Sequence, residues 1–344
     1  MLAYDVFTDD AFSVAEMREM VDDLTYIPDE LNRMGIFTAD PIRTTTVMIG
    51  RSKESLTLVP ITERGSQRTR LERDERNLIG LSTVALRQED RINSQSLQNI
   101  APEGTPYDAA LSGALDEVEK RNRKMMRKLE LTREFHRMAA IQGYVIDADG
   151  SISRDVYDDF GITRPAAVVI NPALVEGNLR KAIYAGITRP LTETLNRSSR
   201  NAPRGIVALC GDDFFDALIT APEIRETYLN TAQAQDLRQG FVPYEAFNYA
   251  GVRWMNYRGT NDGTTIAIPT DECVFIPTGV EDMFAEFRSP GEDFAHINKP
   301  GAEFYSVVSP DNRINRTEYV DVTLDAYPLF VCLVLEGLLR GTLP

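Results

Sequence analysis

At 344 residues, 43% hydrophobic and 26% charged, the chain has the composition of an ordinary globular protein with room for two or three packed units, which excludes the disordered and fibrous classes. A formal net charge of −15 argues against nucleic-acid binding of the ordinary kind, because phosphate contacts demand a basic surface. The three cysteines, Cys210, Cys273 and Cys332, are too scattered for a disulfide framework or a zinc site and are expected as buried small hydrophobes.

The N-terminal MLAYDVFTDDAFSV has no basic stretch leading into an apolar one, so no secretory signal is read and a cytoplasmic start is expected. Residues 1–45 carry short apolar patches at Phe7, Phe12 and Met17, broken by Pro28 and Pro41, with a short helix predicted at Ser13–Leu24. This reads as an arm that docks on an adjacent subunit, being too sparse for a core and too apolar for a free tail. Thr44–Ile49 and Leu56–Ile61 have strand composition, and Gly50-Arg51-Ser52-Lys53 between them reads as a hairpin turn.

The stretch Glu63–Arg76 interleaves Arg64, Arg68, Arg70, Arg73 and Arg76 with Glu63, Glu72, Asp74 and Glu75 and has almost no apolar residues. Lacking a core of its own, it is expected to be ordered by a partner. Leu78–Leu86 returns as a strand-like stretch, followed by polar Arg87–Asn99. From Arg43 to Gln142 there are 18 basic against 14 acidic side chains, which leaves 19 against 38 elsewhere. A basic arm on an acidic body predicts complementary contact between copies, although a solvated surface whose signs merely segregate reads the same way.

Pro106 to Gln142 then runs without an effective breaker, with a stripe at Leu111, Leu115, Val118, Met125, Leu129, Thr132, Phe135 and Ala139. A helix of about 35 residues would span roughly 50 Å. Lys120, Arg121, Arg123, Lys124, Arg127 and Lys128 are read as its wet side rather than a nucleic-acid patch, and His136 as a surface residue beside Arg137. Tyr144–Ile152 makes a small hairpin around Asp149-Gly150, whose D-x-D-G lacks the further ligand positions of a calcium loop. Pro172–Ile187 is predicted as a second helix, and the pentapeptide GITRP at 161–165 and again at 186–190 is taken as chance.

A unit of alternating α and β begins near Gly205, with strands at Ile206–Cys210, Val252–Tyr257 and Cys273–Ile276, a helix opening at Asp212 and a turn at Gly259–Gly263. Late strands at Phe304–Val308 and Thr317–Leu324 flank an Asp311-Asn312 turn, and the apolar run Ala326–Leu335 is a core strand, too short to span a membrane.

The chemistry is sparse. Only His136 and His296 exist, neither beside a nucleophile in a known motif, and no phosphate-loop, dinucleotide or zinc-protease pattern occurs. Asp158-Asp159 and Asp212-Asp213 are adjacent pairs, and Asp212 or Asp213 is expected to cap a helix ahead of Phe214. No catalytic, cofactor-binding or metal-ligating residue is therefore expected.

The order of parts, arm, charged loop, long helix, small hairpin, second helix, inserted α+β unit and return strand, resembles the Hong Kong 97 fold of tailed-phage major capsid proteins, and within it the phage lambda major capsid protein family, also called major capsid protein E. The resemblance spans nearly the whole chain, including Arg64-Gly65-Ser66, the neighbourhood of Leu86, Glu89, Asp90 and Ile92, and Arg316-Thr317-Glu318-Tyr319 followed by Asp325-Ala326-Tyr327-Pro328-Leu329. It implies an α+β shell subunit in which residues 1–45 would be an N-terminal arm, 46–100 the E-loop, 101–204 a P-domain with its spine helix at 107–142, 205–300 an A-domain and 301–344 the C-terminal P-domain strands. It further implies assembly as hexamers and pentamers into an icosahedral procapsid that matures on packaging double-stranded DNA, without sequence-specific binding, catalysis, cofactor or membrane. Partners would be further copies, a separate scaffolding protein and a portal, with or without a decoration protein, with assembly in the host cytoplasm and residence in the virion. Arg64, Arg68, Arg70, Arg73 and Arg76, with Phe7, Phe12 and Met17, are the expected intersubunit contacts. Some relatives weld subunits through a Lys–Asn bond, for which neither partner can be placed here. An encapsulin-type compartment of the same fold is the runner-up, and an oligomeric carboxylate enzyme the third reading.

Overall fold

In this computed structural model the described residues are 29–52, 76–93, 107–147, 151–175, 177–197, 203–229, 246–257, 259, 268–310 and 319–344. In chain order they form α1 (Glu30–Arg33), β1 (Phe37–Pro41), β2 (Thr46–Ser52), β3 (Arg76–Ser82), β4 (Leu86–Asn93) and the long helix α2 (Tyr107–Ile141). The hairpin β5 (Tyr144–Ile146) and β6 (Ile152–Asp155), α3 (Val156–Phe160) and β7 (Val168–Val169) follow. Next come α4 (Asn178–Ile183), a π turn (Tyr184–Thr188) and α5 (Arg189–Arg197), which run on as one rod. The remaining elements are β8 (Gly205–Cys210), α6 (Asp212–Thr220), α7 (Pro222–Leu229), β9 (Phe247–Tyr249), β10 (Val252–Asn256), β11 (Glu272–Thr278), β12 (Phe284–Arg288), β13 (Tyr305–Pro310), β14 (Tyr319–Ala326), β15 (Pro328–Cys332) and β16 (Leu339–Thr342).

The largest sheet has the order β7-β16-β11-β8-β10-β9. Its centre, β8 and β11, is an almost unbroken run of buried apolar residues, as expected for strands covered on both faces. Trp254 on β10 is fully buried, stacked near the rings of Phe214 and Phe247 with Phe275 edge-on at 5.7 Å. Strands β7 and β16, from outside residues 205–300, complete this sheet, whereas β12 lies elsewhere. There it pairs in parallel with β1 and antiparallel with β15, and Phe37 of β1 packs against Phe284 and Phe330.

A third sheet, β13-β14-β4, lies along the long helix, closing Ile92, Val322 and Leu324 over Val118 and Met125, with Leu86 and Ala326 over Leu129. The stripe predicted for the helix is therefore a packed seam at Val118, Met125 and Leu129, while Thr132 and Phe135 are only half-buried. Of the basic residues read as its wet side, Lys120, Lys124 and Lys128 are exposed, whereas Arg121, Arg123 and Arg127 are half-buried. Arg121 reaches Asp90 at 2.9 Å and Arg123 pairs with Glu119.

Several local expectations are corrected. Gly50-Arg51-Ser52 is not a turn: it lies inside β2, whose partner is β3 in the register Thr46↔Ser82 to Ser52↔Arg76. Gly50 passes for a turn residue, yet here its missing side chain makes room for Leu78, whose Cδ2 would lie 3.0 Å from a Cβ. Polar Arg87–Asn93 is a strand because it pairs residue for residue with β14 over Leu86–Asn93. The second helix starts at Asn178, after Gly177 at φ +80°, and passes Thr188 to Arg197. Pro190 lies inside it and cannot donate to the preceding turn, and the π turn immediately before it is where the ladder adjusts. Neither acid of the 212–213 pair caps α6: Gly211 is the N-cap, and Asp212 Oδ1 instead accepts from Asn256 Nδ2 at 2.7 Å. The expected strand Leu56–Ile61, the helix Ser13–Leu24, most of the 259–263 turn and the turns at 149–150 and 311–312 lie outside the described residues.

Candidate assembly surface and its anchorage

Of the expected contact residues, Phe7, Phe12, Met17, Arg64, Arg68, Arg70 and Arg73 lie outside the described residues. Arg76 opens β3 opposite Ser52. What can be followed is how the parts that carry them are held. Strands β2 and β3 form a two-stranded ribbon whose inner face, Val47, Ile49, Ile79 and Leu81, packs on the main core. At its base Arg154 of β6 donates to the Gly80 carbonyl at 2.7 Å and Thr83 N donates to Thr45 O at 3.1 Å. The segment 53–75 thus leaves and re-enters the fold through a ribbon fixed on one face.

The arm is held by the other end of the long helix. From Arg133 to Ile141 almost every side chain is buried, charged ones included. Arg133 donates to Glu286 at 2.6 Å, Glu303 at 2.9 Å and Glu130 at 3.1 Å, and its guanidinium lies 4.9 Å from the centre of the Phe304 ring. Arg288 bridges Glu286 and Glu303 at 2.8 and 3.4 Å. One turn on, Glu134 accepts from Arg137 at 3.2 Å, from Tyr257 Oη at 3.3 Å and from the backbone N–H of Leu31 at 2.8 Å. That last bond serves one of the orphan donors at the start of α1, and Leu31 itself is fully buried. Residues 1–28 therefore leave from a point clamped to the long helix.

Burial sets the protonation behaviour of this hub. It raises the carboxyls of Glu130 and Glu134 despite their arginines. Burial alone would lower the Arg133 guanidinium, but Glu130, Glu286 and Glu303 together hold it above its usual value. His136 is a correction to the surface reading: it is buried, as is Arg137, and burial lowers its pKa to about 4, so the ring is neutral near pH 7. Sequence alone hides the hub because the partners of Arg133 lie 153 and 170 residues away.

A second buried carboxylate pins the rod of α4 and α5 to the largest sheet. Glu223 accepts from the N–H groups of Leu179 and Arg180, each at 3.1 Å, and from Tyr249 Oη at 2.5 Å. Burial would raise its pKa, yet the Tyr249 hydroxyl and the backbone donors outweigh that and lower it. Among the described residues no group of three or more His, Cys, Asp or Glu could hold a metal ion, and no helix is long and apolar enough to cross a membrane. The three cysteines are buried and free.

Comparison with known proteins places the chain in a family. Residues 13–343 match the family described as phage major capsid protein E. The major capsid protein of Pseudomonas phage KPP10 is 26% identical, the match covering 92% of this chain and 95% of that one. A prophage capsid protein from E. coli CFT073 superposes with a TM-score of 0.56 at 12% identity, covering 95% of this chain and 96% of the other. The capsid protein of cyanophage P-SCSP1u gives 0.52 at 10% identity, covering 90% and 86%. Such low identities show a shared fold, α+β of the Hong Kong 97 type.

Proposed function

We propose that this chain, which belongs to the phage major capsid protein E family and is a major capsid protein of the tailed-phage kind, assembles as hexamers and pentamers into a closed procapsid that matures as double-stranded DNA is packaged. The observation that carries this reading is the anchored ribbon: β2 and β3 are tied to the body by one face and lead into an arginine-dense segment, within a region, 43–142, whose basic excess is matched by the acidic excess of the rest of the chain. Residues 1–45 serve as the arm, 46–100 as the E-loop, 107–142 as the spine within a P-domain of 101–204 and 301–344, and 205–300 as the A-domain, with β7 and β16 lent to its sheet. The shell acts without catalysis. A scaffolding protein and a portal are its partners, with or without a decoration protein, and assembly takes place in the host cytoplasm.

The acidic excess suits a container. DNA slides past a wall that repels it more easily than past one that grips it. Negative-stain microscopy of the purified chain tests the reading: closed shells are expected, and a uniformly small oligomer overturns it. Nuclease-resistant DNA inside native particles is the expected result that separates a virion from an encapsulin-type compartment. Replacing Arg68, Arg70 and Arg73 together by Glu is expected to abolish shells while circular dichroism of the subunit stays unchanged, and raising salt should weaken wild-type assembly in the same direction. A triple variant that still closes shells removes the loop from assembly.

A further inference from the structure

The loop between β12 and β13 holds out two apolar side chains that no other described residue covers. Phe294 is 94% exposed and Ile297 64%. Singly exposed apolar residues are common and need no explanation. This loop differs because it is fixed. The His296 ring packs edge-on to Tyr305 at 4.5 Å, and the Tyr305 hydroxyl accepts from Ala302 N at 2.8 Å and lies 3.3 Å from Ser289 O as its donor. His296 N donates to Asp293 O at 2.9 Å and Lys299 N to His296 O at 3.1 Å. The far end is locked by Gly301, whose N–H reaches Ile42 O at 3.0 Å and whose Cβ, if it had one, would stand 2.1 Å from Arg288 O. An aromatic side chain presented on a pre-ordered loop loses little entropy on docking, the character of an interface anchor.

A matching surface exists on the outer face of the ribbon. Met48 is 62% exposed and Leu78 58%, and the register places Met48 opposite Gly80 and Leu78 opposite Gly50. Each apolar side chain thus lies beside a position with no side chain, Met48 Sδ being 3.3 Å from where a Gly80 Cβ would stand. The face is apolar and of low relief, with backbone within reach of a flat ring. Among the described residues it is a face where two large exposed hydrophobics share one short ribbon. The charges that flank the two patches in sequence are opposite in sign: Glu292 and Asp293 precede Phe294, pairing within the chain with Arg87 and, at 3.9 Å, with His296, and Arg51 and Arg76 occupy the end of the ribbon that leads to the arginine-dense segment.

We propose that Phe294 and Ile297 of one copy seat on the Met48–Leu78 face of a second copy, making a copy-to-copy contact distinct from the arginine segment. The contact rests on the shell-subunit reading, and it names the residues by which neighbours meet. Both surfaces are exposed in one copy, so neither covers the other within the chain.

A cysteine pair tests it directly, since the three native cysteines are buried and give little background. Phe294→Cys combined with Met48→Cys, assembled and treated with a mild oxidant, is expected to give a ladder of linked copies on a non-reducing gel, absent from either single variant. Shells from the double variant without a ladder, or a cross-link confined to single chains, overturn the proposal. In case the double variant fails to assemble, Phe294→Glu is measured by sedimentation velocity beside circular dichroism. The shell fraction is expected to drop about tenfold or more with the subunit still folded, and Leu78→Arg to restore part of it. Assembly of Phe294→Glu at wild-type yield overturns the contact, and loss without rescue by Leu78→Arg overturns the assigned receiving face. The wild-type chain is run alongside: if it forms no shells the shell reading itself falls, whereas loss confined to the variants concerns this contact alone.

Discussion

The two halves of the long helix solve opposite problems with the same residue types. Around Val118, Met125 and Leu129 an apolar seam faces one sheet while Lys120, Lys124 and Lys128 face water. Between Arg133 and Ile141 the helix is swallowed on nearly all sides, and its arginines and glutamates become internal fasteners between α1, β12 and the chain near Glu303. Charge on the first half confers solubility, and charge on the second half decides which segments meet. The difference teaches that the same residue types can fasten one end of a helix on all sides and leave the other held by a seam alone.

Removing one member of the buried hub should show the largest effect. Arg133→Ala leaves Glu130, Glu286 and Glu303 facing one another, and a loss of about 3–5 kcal/mol in unfolding free energy is expected by urea titration of the subunit. A loss below about 1 kcal/mol would make the hub ornamental and erase the contrast. On the seam, Leu129→Ala should cost roughly 2–4 kcal/mol by cavity formation against Leu86 and Ala326, with the midpoint shifted and the denaturant slope unchanged.

Acidity sharpens the comparison further. The folded pKa of His136 is lowered from 6.5 to about 4, so between those values the unfolded chain binds more protons than the native one. Stability should therefore rise with pH across that window and fall on acidification, by about 2 kcal/mol at pH 5 for this group alone. Glu130 and Glu134, raised by burial, act with the opposite sign, binding more protons when folded. His136→Asn should flatten the measured slope between pH 6.5 and 4, and an unchanged slope would mean the ring is not desolvated. The smallest effect belongs to the wet side: Lys124→Ala should change unfolding free energy by no more than about 0.5 kcal/mol.

The first half of the helix was readable from spacing and the second was not, for a physical reason. Steps of three and four among Val118, Met125 and Leu129 report a one-sided environment, which is what periodicity measures. A buried arginine carries no such mark, because its partners on β12 and near Phe304 are set by the fold rather than by neighbours in sequence. The helix bounds, the small hairpin, β8, β11 and the late strands were legible for the same local reason. Strand β4 was missed because its alternation is of polar against half-buried residues, and the partner of β2 because 23 residues, 53–75, separate the two strands of the ribbon. The knob at Phe294 left one weak trace, an aromatic residue in a stretch rich in Pro, Gly and charge.

The π turn before Pro190 works as a leap day does in a calendar. Leu179, Ile183, Ile187, Leu191 and Leu195, all buried, recur at a fixed stride of four. In a regular helix each such stride overshoots a full turn by about 40°, so four of them would carry the last leucine nearly to the opposite side. The wide turn at Tyr184–Thr188 takes up one extra residue and cuts that drift from about 160° to about 60°, within the width of one buried face. What is conserved along this rod is therefore a direction, and the number of residues in the segment is fixed by rotation rather than by reach: one fewer there would swing Leu191 and Leu195 away from the core by about 100°.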